Sequence, residues 1–125
     1  MKRIIIHVLQ AALLTLASAP AADACAAPEK TFHLSIVRGQ VKASERVLRV
    51  EQGDRVHLTA ASDAAGELHL HGYRLEAKLT PGTMADLAFK AYATGRYPLE
   101  WHPASDKARR FHHGPPLAVV EVHPK

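Results

Sequence analysis

The sequence is very poor in cysteine. Cys25 is the only one in 125 residues, and it lies among small residues that form A-x-A sites at 22–24 and 24–26. Because signal peptidase cleaves after such sites, we expect cleavage near Ala26 and a mature chain without cysteine. That excludes disulfides, thiolate metal ligands and cysteine nucleophiles. Lipidation of Cys25 is disfavoured, since Ala22 stands where a lipoprotein site has a larger aliphatic residue.

Long apolar runs are missing beyond the N-terminus. Lys2 and Arg3 precede an apolar segment at 4–17, which is too short to span a bilayer comfortably. This pattern is typical of a secretory signal peptide, which we assign to residues 1–26. We therefore expect export to the periplasm, no membrane span in the mature chain, and one domain over residues 27–125.

Clustered basic residues are scarce as well. The formal net charge is +4, but Arg109-Arg110 is the only tight basic pair after the signal peptide. A nucleic-acid interface gathers basic residues on one face with aromatic side chains between them, so we expect no nucleic-acid partner. We also expect no enzyme, because no Ser-His-acid triad, cysteine nucleophile or paired carboxylates stand out.

What the chain does have is apolar residues at every second position, the period of a half-buried strand. Glycine and proline mark the turns between these segments, at 52–54 and 80–83. The predicted strands lie near residues 32–36, 46–61 (two segments around a turn), 67–79 (with a break at Gly72), 85–91, 97–101 and 117–122, with a long loop at 102–115. About seven short strands and no helix predict an all-β fold, a Greek-key β-sandwich.

Histidine is abundant, with nine in the chain. His69 and His71 alternate with leucines, so both imidazoles project from the same face of a strand. His102 follows a predicted strand end, and His112 and His113 lie in the long loop. Because loops gather at the two ends of a sandwich, we expect all five histidines to meet at one end.

Neutral imidazoles without a thiolate suit Cu(II), Zn(II) or Ni(II). The predicted metal ligands are His69, His71, His102, His112 and His113, with Glu67 or Glu100 as a source of a carboxylate. Two other interpretations stay open: histidines that are merely solvated, and a cluster that senses pH.

Several segments together resemble the cupredoxin family: residues 50–58 (VEQGDRVHL), 69–73 (HLHGY), 80–82 (TPG), 93–100 (ATGRYPLE) and 118–122 (AVVEV). The chain is more narrowly similar to small secreted cupredoxin-like proteins with HLHGY and to the cupredoxin-like domain of some periplasmic iron-uptake proteins. The resemblance covers nearly the whole mature chain, and it implies a cupredoxin fold.

The resemblance also implies positions for the ligands of a blue copper centre. His71 (or His69) matches the first histidine, and His113 matches the second. Trp101 stands where the cysteine belongs, and Pro116 stands where the methionine belongs. Without the thiolate, a blue copper centre is excluded.

Two functions follow as hypotheses. The first is a periplasmic protein that binds copper, or else zinc or nickel, through the histidine cluster for metal handling or delivery. Its partners would be the metal ion and a periplasmic or membrane metal-handling protein. The alternative is a metal-free cupredoxin-like scaffold that binds a partner protein.

Overall fold

The computed structural model describes residues 28–106 and 114–125, so the predicted signal peptide, Cys25, His112 and His113 lie outside the described residues. The strands are β1 (Glu29–Ile36), β2 (Val47–Glu51), β3 (Arg55–Ser62), β4 (Gly66–Leu70), β5 (Leu75–Leu79), β6 (Met84–Lys90), β7 (Gly95–Pro103) and β8 (Ala118–His123). Within these ranges the only helical segments are two single 3₁₀ turns, Ala43–Glu45 and Ala104–Asp106. None of the described residues forms a helix that is long and apolar enough to cross a membrane.

The strands form two sheets. The smaller one has the order β1-β3-β6, and the larger one has the order β2-β8-β7-β4-β5. The pairs β1–β3 and β2–β8 are parallel, while the other pairs are antiparallel. The turns at 52–54 and 80–83 each carry the chain from one sheet to the other, and Gly53 and Gly82 have the positive φ that such tight turns require.

The core lies between the two sheets. Alternate residues of both sheets point inward, and the most deeply buried side chains are Leu34, Ile36, Leu58, Leu68, Leu70, Leu79, Leu99 and Val120. These are the apolar positions of the two-residue period, because successive side chains of a strand point to opposite faces. The prediction of an all-β sandwich is therefore confirmed.

The prediction was wrong in one place that affects the site. His102 does not follow a strand end but lies inside β7, so the predicted loop at 102–115 begins too early. The reason is that β4 continues to pair with this part of β7, with Gly66 opposite Pro103 and Glu67 opposite His102. The neighbouring strand thus supplies backbone hydrogen bonds that extend β7 to Pro103.

Candidate metal site

The candidate site lies on β4 and β7, which are neighbours in the five-stranded sheet. Leu68 and Leu99 are completely buried, so the residues that alternate with them face outward. The antiparallel register places His69 directly opposite Glu100. His71, one residue beyond β4, donates its backbone N–H to the carbonyl of Pro98 at 2.9 Å, which keeps it beside β7.

The three described histidines come together on this outward face. The ring centroids of His69 and His71 are 4.2 Å apart, and those of His69 and His102 are 6.4 Å apart. Two of these rings come from the H-x-H alternation of one segment, while His102 comes from a strand about 30 residues later in the chain. Strand pairing therefore unites histidines that are remote in sequence.

Glu100 lies at the centre of the cluster. Its Oε2 is 2.9 Å from Nε2 of His71 and 3.5 Å from Nε2 of His102. The Nε2 atom of His71 is nevertheless buried and makes no well-directed hydrogen bond. The short distance is therefore a close approach whose direction is unsuitable for a hydrogen bond, and the nitrogen lone pair or proton is left unsatisfied.

This donor set fits a divalent cation by its chemistry. Three imidazoles and one carboxylate are ligands that Cu(II) and Zn(II) accept, and an ion would satisfy the orphaned nitrogen of His71. The four side chains are 27% to 43% exposed, so the cluster is open to solvent. Among the described residues, no three His, Cys, Asp or Glu side chains already surround one point. Ion binding would therefore require the rings to turn about their side-chain bonds.

The cluster does not lie where loops were expected to gather it. His69, His71 and His102 occupy the outer face of the larger sheet instead of one end of the sandwich. The physical reason is strand pairing, because β7 continues beside β4 as far as Pro103 and its outward positions therefore lie on the sheet. The predicted ligands His112 and His113 lie outside the described residues, so their part in the site stays a prediction.

The sequence named Glu67 and Glu100 as equal sources of a carboxylate, and the structure separates them. Glu67 is on the same outward face, but in the sheet it lies opposite Lys78 of β5 on one side and His102 of β7 on the other. Glu100 contacts two of the histidines. The sequence signal for this was the spacing on β7. Glu100 and His102 are two residues apart, just as His69 and His71 are two residues apart at the end of β4.

A tyrosine close to the cluster packs into the edge of the core. The ring of Tyr73 lies 4.6 Å from that of Phe89 and 4.8 Å from that of Tyr97. Burial of its hydroxyl raises the pKa of Tyr73 above the ordinary value of 10.0. Gly72 precedes it with a φ of +83°, and any β-carbon there would meet the ring of Tyr97. These contacts fix the chain directly after His71.

Comparison with known proteins bears on the fold. The sequence matches no protein-family model and no curated protein. Solved structures do match. The chain superimposes on a heme-copper terminal oxidase with a TM-score of 0.59 and 16% identity, covering 77% of this chain and 65% of that one. A copper-containing nitrite reductase from Thermus scotoductus gives a TM-score of 0.58 and 21% identity, covering 78% of this chain and 28% of that one.

A third match is the apo form of a copper binding protein, with a TM-score of 0.55 and 7% identity, covering 76% of this chain and 88% of that one. The fold is cupredoxin-like. At these identities the likeness concerns the fold alone. The chain also spans less than two thirds of the length of the first two structures.

Trp101 is a partly buried residue of β7 in the cupredoxin-like sandwich. Its indole packs against the core and leaves no room at Gly66, where an added β-carbon would lie 2.5 Å from the ring. A pocket of about 280 Å³ adjoins it, between β7 and the segments that contain Val41 and Leu117. Trp101 therefore contributes to the core at the position where the resemblance would place a cysteine.

Proposed function

We propose that this protein binds Cu(II), or another divalent ion such as Zn(II), through His69, His71 and His102. Its role is metal handling or delivery in the periplasm, not catalysis. The observation that carries the proposal is the buried, unsatisfied Nε2 of His71, which lies beside a carboxylate and two further imidazoles. The similar structures include a heme-copper terminal oxidase, a copper-containing nitrite reductase and a copper binding protein, and this supports copper as the ion.

Each residue of the cluster would contribute differently to binding an ion. His71 and His102 present Nε2 atoms to the same carboxylate oxygen, so both are within reach of a cation that takes a place beside Glu100. His69 lies within ring contact of both and adds a third imidazole. A bound ion would supply positive charge to this group, and the carboxylate would balance part of it.

The first test is titration of the purified protein with Cu(II). We expect one equivalent to bind to the mature chain, with nitrogen hyperfine structure in the electron paramagnetic resonance spectrum. No intense blue colour should appear, because cleavage near Ala26 would leave no cysteine to supply a thiolate. His71→Ala should weaken Cu(II) binding and change the nitrogen hyperfine pattern, and it should leave the β-sheet circular dichroism unchanged. A blue solution, or an affinity and hyperfine pattern unchanged in His71→Ala, would contradict the ligand assignment.

The alternative function is a metal-free scaffold that binds a partner protein. The observation that favours it is that the donors in residues 28–106 and 114–125 do not already surround one point. Weak and nonstoichiometric Cu(II) binding by the unaltered protein would favour this alternative.

Under the metal hypothesis the partner is a periplasmic or membrane metal-handling protein. The predicted signal peptide at 1–26 supports the periplasm as the compartment.

A further inference from the structure

The carboxylate of Glu100 lies beside two imidazoles of the cluster and adds a negative charge to the site. Glu100 lies opposite His69 in the sheet, and its Oε2 contacts the Nε2 atoms of His71 and His102. Its side chain is 31% exposed, so it is partly removed from solvent. Any cation that takes up these nitrogens therefore meets the negative charge of Glu100.

Sulfur ligands are remote from this cluster. Among the described residues the one sulfur atom belongs to Met84, which begins β6 in the three-stranded sheet and is 60% exposed. The cluster lies on the outer face of the other sheet. Thioether and thiolate ligands select Cu(I), whereas carboxylates and imidazoles suit divalent ions. The donor atoms of the described residues therefore favour Cu(II) over Cu(I).

We propose that Glu100 makes this cluster retain Cu(II) and release Cu(I), so that reduction unloads the site. The proposal rests on the proposed function, because it concerns the same residues. One unit of charge on an ion in contact with a partly exposed carboxylate changes the affinity by about 100-fold or more. Reduction to Cu(I) therefore weakens the attraction between the ion and Glu100, and no sulfur atom of the described residues lies on this face to compensate.

The unloading step balances with one electron. An enediol reductant of the ascorbate class gives one electron to Cu(II), which becomes Cu(I). No covalent bond of the protein forms or breaks. The imidazole nitrogens and the Glu100 oxygen leave the ion, and Glu100 returns to its contacts with His71 and His102.

The test compares the dissociation constants of the two copper states on the purified protein. Cu(II) is measured against a competing chelator, and Cu(I) is measured against bicinchoninate under anaerobic ascorbate. We expect Cu(II) to bind at least about 100-fold more tightly than Cu(I). Glu100→Gln should reduce this ratio at least about tenfold by weakening Cu(II) alone, since it keeps the shape and removes the charge.

Two further variants sharpen the test. Glu100→Met replaces the carboxylate by a thioether of similar length, and it should raise the affinity for Cu(I). Asp86→Asn is the matched control, because the Asp86 side chain is 63% exposed and pairs with His57 on the other sheet, away from the cluster. It should leave the ratio unchanged.

The outcomes separate the two proposals. Absence of stoichiometric Cu(II) binding overturns the proposed function and this inference together. Stoichiometric Cu(II) binding that depends on His71, combined with equal affinity for Cu(I), overturns this inference alone. The same conclusion follows if Glu100→Gln folds by circular dichroism and keeps the ratio of the unaltered protein.

Discussion

The two sheets each carry histidines on their outer faces, but they arrange them differently. On the five-stranded sheet, the ring of His69 contacts those of His71 and His102, and the Nε2 atoms of His71 and His102 lie near the carboxylate of Glu100. On the three-stranded sheet, each histidine has its own partner. His57 Nε2 forms a 2.8 Å hydrogen bond with Asp86, and His33 Nδ1 forms a 2.9 Å hydrogen bond with Thr59.

The difference shows what makes a cluster out of exposed histidines. Both sheets place these residues at outward positions of the two-residue period, so period alone does not distinguish them. On the larger sheet, the register of β4 and β7 brings three rings together, and the Nε2 atoms of His71 and His102 both lie near the carboxylate of Glu100. On the smaller sheet, the register satisfies each ring locally. Neither His33 nor His57 has a buried ring nitrogen without a partner, unlike His71.

The largest expected effect is on Cu(II) binding, and it compares the outer faces of the two sheets. Replacing His69, His71 and His102 together by glutamine should weaken Cu(II) binding by at least about 100-fold, since even outer partners of metal ligands contribute 10- to 100-fold. Replacing His33 and His57 together by glutamine should change it less than about twofold. Calorimetric titration measures both, and equal losses in the two variants would abolish the distinction between the faces.

A smaller effect concerns the contact that holds β4 against β7. An added β-carbon at Gly66 would lie 2.5 Å from the Trp101 ring and 2.6 Å from the backbone carbonyl of His102. Gly66→Ala should therefore lower the free energy of unfolding by about 2 kcal/mol, the cost of overpacking. Gly114→Ala, which meets no atom within 4 Å, is the matched control and should change it by less than about 0.5 kcal/mol.

Urea denaturation followed by circular dichroism measures both glycine variants. Equal stability of Gly66→Ala and the unaltered protein would mean that the close approach of the indole does not define the pairing of β4 and β7. The register on which the candidate site depends would then need another explanation.

The smallest effect belongs to the three-stranded sheet. Asp86→Asn removes the charge beside His57 but keeps a side chain that can accept a hydrogen bond. Because the Asp86 side chain is 63% exposed, the free energy of unfolding should fall by less than about 0.5 kcal/mol, as for other surface pairs. Cu(II) affinity should not change. A loss of Cu(II) binding in this variant would mean that the three-stranded sheet supplies a ligand. That would contradict the assignment of the site to the five-stranded sheet.

The fold was largely predictable from the sequence. The alternation in residues 32–36, the break at Gly72 and the turn at 80–83 are local features, and the structure has strands and turns at these places. The site was only partly predictable. The H-x-H pair was expected on one face and is found there, but His102 was placed in a loop and the cluster at an end of the sandwich. Both errors concern strand pairing, which depends on residues far apart in the chain.

The sequence by itself determined that this chain forms strands, which residues of each strand enter the core, and that His69 and His71 share a face. Those properties follow from the two-residue period, which is local. Only the tertiary structure decided that β7 lies beside β4, that Glu100 falls opposite His69, and that the shared face is the outer surface of the larger sheet. The reason is that neighbours in a sheet are selected by packing of the whole core, so no single segment carries that information.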